Sequence, residues 1–517
     1  MTSLLKVSYS SIEGSRGERD RPFGGATAQC RVYRVIRVMH DARDAAAVSI
    51  APMIQPVQDL CKDRDGGVAS MATMSVLDVI AAWPDDLPIA AVVSADEGSP
   101  WSRWSVLAAP LETITSLHAA PDALSARRAD PAVSGRGELP FHQGWIGWLN
   151  YDAGRQLEPR ACHSTGARDD RGWPDVCLHR CEGAYVYDHH RGVWHVAGDA
   201  ASLPPIEPLD HKSTLAEVNA MGPIEHSLDQ AAYESIVQRA IEYIHAGDVF
   251  QVNLARRMSM GIEGSSRALF RALVSYIAPW YGALIDGPEP GSAVLSTSPE
   301  LLVAGSRRSS EIVTRPIKGT APGSASEDLL ATSAKDRAEL AMIVDLMRND
   351  LGRVCRPGSV RVRDARSIER HGAPGSRGVQ HGVATVAGAL REGCGLWDVI
   401  QGVFPAGSIT GAPKIRAMQI IDELEPVRRG PYCGSVIMAD DGGAFHMNVG
   451  IRTSAVRGES MDGSWARIRG DLDYFVGAGI VADSDPHAEW RETCAKAAGF
   501  EYVMRQLSPT PVAEAAP

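Results

Sequence analysis

The sequence has no run of 18 or more uninterrupted apolar residues, so it lacks a segment able to cross a bilayer as a helix. Aromatic residues are scarce, at 6% of 517. The nine cysteines, at positions 30, 61, 162, 177, 181, 355, 394, 433 and 494, are odd in number and scattered. That excludes a disulfide-stapled secreted scaffold and reads as reduced thiols in a cytoplasmic compartment. Positive charge is also in deficit: Lys plus Arg is 52, Asp plus Glu is 63, and the formal net charge is −11. A general nucleic-acid binder needs dense basic surface, so that class is excluded. The glycine-rich stretch Ala406-Gly-Ser-Ile-Thr-Gly-Ala-Pro-Lys414 is not a Walker A loop, because Pro413 precedes the lysine and no Ser or Thr follows it. Gly477 and Gly479 lack the third glycine of a dinucleotide fingerprint.

What is present is the balance of a globular protein, 44% apolar and 22% charged, in a chain long enough to bury a large core without staples. Length alone gives about three domains at ~150 residues each. The organisation reads differently: a poorly ordered N-terminal extension over 1–74, a strand-rich region over 75–225, and a second region over 226–510. The extension is mixed in charge, and its acids at Glu13, Glu18 and Asp20 argue against an organelle-targeting peptide. Apolar runs at 88–94, 104–109 and 144–151 read as strands, and the Pro-containing stretch 202–223 as a linker. Beyond it, Ser227 is positioned to cap a helix with apolar residues at Tyr233, Ile236, Val237, Ala240, Ile241 and Ile244, closed by Gly247. A strand follows over 249–258, with Phe250, Val252 and Leu254 in alternation. Further helices are expected over 334–347, from Pro413 onward, and from Asp485-Pro486 to about 507. Strands and helices mix without βαβ alternation, so the fold class is α+β.

Several residue groups are able to carry chemistry. Cys177, His179, Cys181, His189, His190 and His195 are of zinc-ligand type, but their spacing is loose and 184–192 reads as a strand entering a hairpin turn. Glu489, Glu492 and Lys496 share one face of the last helix, where they form either a solvated stripe or a carboxylate site for a hard cation. Glu339 lies at the edge of an apolar helix face. Lys318, between an isoleucine and a Gly-Thr turn, is either a loop lysine or a nucleophile activated by desolvation and by a cation such as Arg315. The glycine segments at 406–414 and 477–482 are able to offer backbone N–H groups to a carboxylate, and Tyr432 and Arg452 add a hydroxyl and a guanidinium.

The order of the motifs is more specific than any one of them. Gly247-Asp-Val-Phe-Gln-Val-Asn-Leu254, Ser298-Pro-Glu300, Arg315-Pro-Ile-Lys-Gly-Thr320, the stretches 343–353 and 407–418, Ile451-Arg-Thr453 and Gly477-Ala-Gly-Ile-Val-Ala-Asp-Ser484 together resemble the chorismate-utilising enzymes, the anthranilate, aminodeoxychorismate, isochorismate and salicylate synthases. The resemblance covers about 75–507. It implies a two-part anthranilate-synthase-like fold, with large antiparallel sheets packed face to face and flanking helices. Lys318 stands where aminodeoxychorismate synthase component I has lysine and anthranilate synthase component I has alanine. The implied chemistry is attack of Lys318 on C2 of chorismate with Glu300 as proton donor, then displacement by ammonia to give 4-amino-4-deoxychorismate. This is a transferase reaction of para-aminobenzoate and folate biosynthesis. The same resemblance implies Glu339 and Glu492 as Mg²⁺ ligands, with Glu489 behind them. It implies Gly319, Thr320, Tyr432, Arg452, Gly477, Gly479 and Lys496 as substrate contacts, and His381 as an active-site histidine beside an insertion at 369–378. No Gly-x-Cys-x-Gly glutaminase nucleophile occurs in the chain, so a separate glutamine amidotransferase subunit is expected to supply ammonia in a heterodimer. An anthranilate synthase and a non-catalytic ligand sensor are the alternative readings.

Overall fold

The computed structural model describes residues 71–508, except 96–98, 126–137, 162–165, 208–217, 307–308, 323–329, 331 and 372–378. The expected N-terminal extension up to residue 70, and most of the insertion expected at 369–378, lie outside the described residues.

Two large antiparallel sheets organise the molecule, eleven strands in one and ten in the other among the described residues. In the first, Gln251–Ser265 lies between Gly411–Ala412 and Arg467–Ile480, and the order continues through Thr453–Ser460, Ser292–Ser298, Tyr281–Asp286 and Ala90–Val93. In the second, Val379–Ala389 takes Ile317–Pro322 and Glu311–Arg315 on one side and Arg361–His371 on the other. That sheet runs on through Leu301–Gly305, Phe445–Asn448, Ser435–Asp440 and Gly144–Leu149. The sheets pack face to face over a shared core, where Val92, Val106 and Ile285 of the first meet Ile146, Trp148 and Val436 of the second. Helices Val76–Ala82, Ser266–Ile277 and Pro486–Leu507 cover the other face of the first sheet, through Ile80, Phe270 and Phe500. The expected α+β architecture is therefore observed. Strands from before and after residue 226 share both sheets, the earlier ones forming one end of each, with Val218–His226 set apart beside Gln251–Ser265.

Local departures from the sequence reading have local causes. The helix expected from Ser227 spans Gln230–His245, because the Asp229 carboxylate accepts the Ala232 N–H at 2.8 Å while the Ser227 hydroxyl accepts from the Arg257 N–H instead. Phe250 lies outside the strand and is 73% exposed. The end of the expected linker, Val218–His226, is an edge strand along Gln251–Ser265, with its register shifted around Gly222 and Pro223, where a bulge tolerates proline. Val76–Ala82 is a helix, closed by reciprocal hydrogen bonds between Ser75 and Asp78. The helix expected over 334–347 runs on to Gly352. Gly183–Asp188 and Val193–Gly198 form a hairpin, as the alternation indicated, while Cys177, His179 and Cys181 lie on Val176–Cys181 in the other sheet. His179 spends both ring nitrogens on Asp286 O and Thr113 Oγ1, and no metal-holding cluster of three or more such residues occurs among the described residues. No helix among the described residues is long and apolar enough to cross a membrane.

Candidate active site

The floor of the site is one strand pair. Arg467–Ile480 runs antiparallel to Gln251–Ser265, with Gly477 opposite Ala255 and Gly479 opposite Asn253. Two residues apart, the glycines present the same face. Space dictates their identity: a Cβ at Gly479 would lie 2.8 Å from Lys318 Nζ, and one at Gly477 would lie 2.8 Å from Asn253 Oδ1 and 3.0 Å from Tyr432 Oη. The Lys496 ammonium donates to the Gly477 carbonyl at 2.8 Å and pairs with Glu492 at 2.7 Å.

Lys318 comes from the opposite sheet, on Ile317–Pro322, where the register against Val379–Ala389 shifts between Lys318 and Thr320. A bulge there re-aims side chains, and Gly319 absorbs it with φ 83°. Lys318 Nζ lies 3.0 Å from Glu339 Oε2, on the helix Ala334–Gly352 capped by Ser333. Arg315 is not the free cation expected beside Lys318. Its guanidinium pairs with Glu369, donates to Tyr281 Oη and faces Trp101.

Glu300 follows strand Ser292–Ser298 and is 4% exposed. Burial pushes its carboxyl up to about 7. The Ser408 hydroxyl, donating to Oε1 at 2.7 Å, and the charge of Lys318 oppose that rise. A carboxyl in this range exchanges its proton near neutral pH, as a general acid must.

A third wall carries the cationic and hydroxyl groups. Arg452 is half-buried, with φ 50°, and its Nη2 lies 3.2 Å from His381 Nε2. Arginine only donates, so Nε2 is the acceptor and the ring proton sits on Nδ1, toward Thr320 Oγ1 at 3.1 Å and the Gly319 carbonyl at 3.3 Å. Burial, with Arg452 next in weight, holds His381 well below the usual histidine range, so it is neutral. Tyr432 stacks on Phe475 at 5.2 Å with its hydroxyl near Gly477.

These contacts join the candidate residues into one constellation: Lys318, Glu339, Gly479, Gly477, Lys496 and Glu492 in sequence, with Glu300 and Tyr432 alongside and His381 tying Thr320 to Arg452. Glu489 is buried and accepts from Ser484 Oγ at 2.6 Å. Glu339 and Glu492 are hard oxygen donors held by lysines on neighbouring glycines. Carboxylate oxygens are the donor type that a hard cation such as Mg²⁺ takes, with water and substrate supplying further ligands.

Two buried amides beside these residues were not singled out by the sequence reading. Gln251 and Asn253 are buried on the strand beside the glycines, and neither amide atom of Gln251, nor Asn253 Oδ1, has a hydrogen-bond partner. Gln251 Nε2 lies 3.3 Å from the Cβ position of Gly479, in the same cradle as Lys318. Their signal was available: two amides at alternate positions, separated by Val252 and followed by Leu254 and Ala255.

A profile of the family described as chorismate binding enzyme matches residues 91–501. Anthranilate synthase component 1 1 of Haloarcula marismortui is 36% identical over 398 residues, covering 70% of this chain and 76% of that protein. Aminodeoxychorismate synthase component 1 of Klebsiella aerogenes is 37% identical over 380 residues, covering 71% and 77%. The crystal structure of anthranilate synthase component I from Streptococcus pneumoniae superposes with a TM-score of 0.61 at 27% identity, covering 77% of this chain and 92% of that one.

Proposed function

This chain belongs to the chorismate-binding enzymes, and from that membership we propose that it is an aminodeoxychorismate synthase component I, converting chorismate and ammonia to 4-amino-4-deoxychorismate. The observation that carries the choice of product is Lys318: an amine against the glycine floor, beside a carboxyl that burial pushes up to about 7. The reaction needs both. The Lys318 ammonium must first give up a proton; the amine then attacks C2, the ring double bond shifts, and the C4 hydroxyl leaves as water with the proton of Glu300. Ammonia then attacks C4, and the reverse shift expels Lys318. An amine suits this role because it is both nucleophile and leaving group.

Arg452 and Tyr432 would receive a substrate carboxylate, with neutral His381 holding the guanidinium from behind. Lys496 and the backbone at Gly477 and Gly479 would face the other carboxylate. Glu339 and Glu492 would hold Mg²⁺, which when bound would neutralise the ring carboxylate. The unpaired Gln251 amide is within the cradle to orient an attacking ammonia. The curated relatives are named component 1, which supports a second subunit; we assign it as a glutamine amidotransferase delivering ammonia.

Since the relatives divide between two products, anthranilate synthase is the second reading. Incubation of the chain with chorismate, Mg²⁺ and an ammonium salt separates them. The expected outcome is 4-amino-4-deoxychorismate without pyruvate, and a Lys318→Ala variant that forms no covalent adduct by mass spectrometry. Pyruvate with a fluorescent ortho-amino acid would establish the second reading.

A further inference from the structure

Behind His381 lies a buried ring that the proposed chemistry does not use. His371 ends the strand Arg361–His371, is 3% exposed, and has no hydrogen-bond partner on either ring nitrogen. Burial, reinforced by Arg452 and Arg315, holds it down to about 3, so the ring is neutral. Stranded ring nitrogens are costly in a core, and an apolar ring would fill the same space without them. Both sides of His371 are occupied by rings. Trp280 packs on it at 4.1 Å between centroids, tilted 32°, and His381 meets it edge to face at 5.2 Å and 70°.

His381 is anchored at its two nitrogens, to Arg452 through Nε2 and toward Thr320 and Gly319 through Nδ1. Those bonds hold the rim of the ring, and the packing of His371 against it bears on its plane. We propose that His371 is a positioning residue: backed by Trp280, it sets the plane of His381 and so aims the Arg452 guanidinium. The inference rests on Arg452 as a carboxylate-binding group of the proposed function. It assigns the ring of His371, not its nitrogens, as the working part.

The test compares His371→Ala with His371→Phe in the full chain. The ring ¹⁵N resonances of His381, identified by their loss in His381→Gln, report its tautomer without substrate. Steady-state kinetics report KM for chorismate. In His371→Ala, the Nδ1–H tautomer of His381 gives way to a mixture, and KM rises about tenfold while kcat changes less. In His371→Phe, both return to wild type and the melting temperature rises, because the stranded nitrogens are gone. Leu273→Ala, in a helix outside the site, lowers the melting temperature without moving either readout. Unchanged His381 resonances in the alanine variant, or failure of phenylalanine to restore them, would overturn the proposal. The resonances decide this even for a chain that yields a different product from chorismate, so failure of the functional reading is separately visible.

Discussion

At the scale of single residues, Glu300 stores a measurable conflict between stability and function. The unfolded chain releases this proton near 4.5, whereas the folded protein holds it to about 7. Between those values the native state binds more protons than the unfolded state, so stability falls as pH rises from about 4.5 to 7, and the loss is constant above that. Integrated, the carboxyl costs about 3 kcal/mol at pH 8. Glu300→Gln is therefore expected to be more stable than the wild type at pH 8 by about 2–3 kcal/mol, with the difference vanishing near pH 4, while turnover is lost. Urea unfolding at the two pH values checks this; an equal gain at both would show that charge is not the cause. Ser408→Ala acts on the same group in the opposite sense from its wild-type role. The serine hydroxyl stabilises the charged carboxylate, so its removal raises the acid further. The alkaline limb of the kcat profile is expected to move upward by about 1 in pH, and a limb that stays in place would sever Ser408 from the acid.

At the scale of elements, the site hangs on one buried guanidinium. Arg429 donates to the Ile409 carbonyl at 2.9 Å, the Asn253 carbonyl at 2.8 Å, and both oxygens of Glu425. Glu425 in turn accepts the Ala255 N–H at 2.8 Å. The pair thus pins the glycine-rich turn carrying Ser408 to the strand carrying Gln251 and Asn253. Arg429→Met leaves Glu425 buried without its partner, and a loss of about 3–5 kcal/mol in urea unfolding is expected, with part recovered in the double variant with Glu425→Gln. No recovery in the double variant would show that the carbonyl bonds, not the carboxylate, dominate. Such a clamp is invisible to periodicity, since it joins positions 253, 409, 425 and 429 across three elements. What the sequence does reveal at this scale is local chemistry. The Asp485-Pro486 cap and Pro413 start their helices where expected, because capping needs only neighbouring residues. Ser227 failed as a cap because a strand partner distant in sequence, Arg257, claimed its hydroxyl. Val218–His226 read as a linker because its strand character comes from the long neighbour it borders rather than from its own composition. Within the site, Lys318, Glu300 and the glycines were legible as ordered motifs, whereas Gln251 and Asn253 gained meaning only once the glycines lay beside them.

At the scale of the whole molecule, the boundary near 226 read from the sequence follows the chain but not the sheets. Tyr281–Asp286, which leads through Ser292–Ser298 toward the site, is paired on its other edge with Ala90–Val93. Ser435–Asp440, in the same hairpin as Phe445–Asn448, is paired on its other edge with Gly144–Leu149. Cutting the chain at 226 would thus strip a neighbour from an interior strand of each sheet and uncover the shared core around Val436, Met438 and Ile285. Long unpaired apolar edges of this kind template aggregation. A fragment spanning 226–510 is accordingly expected to be insoluble when expressed alone. Co-expression with 71–225 is expected to give a soluble complex that restores both pairings and chorismate turnover. A 226–510 fragment that remains monomeric and melts cooperatively by itself would show that the second region holds its own core. The strands before 226 would then be an appended module. The continuity of the sheets argues instead that they are structural members of the catalytic unit, since the sheet bearing Lys318 and the sheet bearing Gly479 each run through both regions.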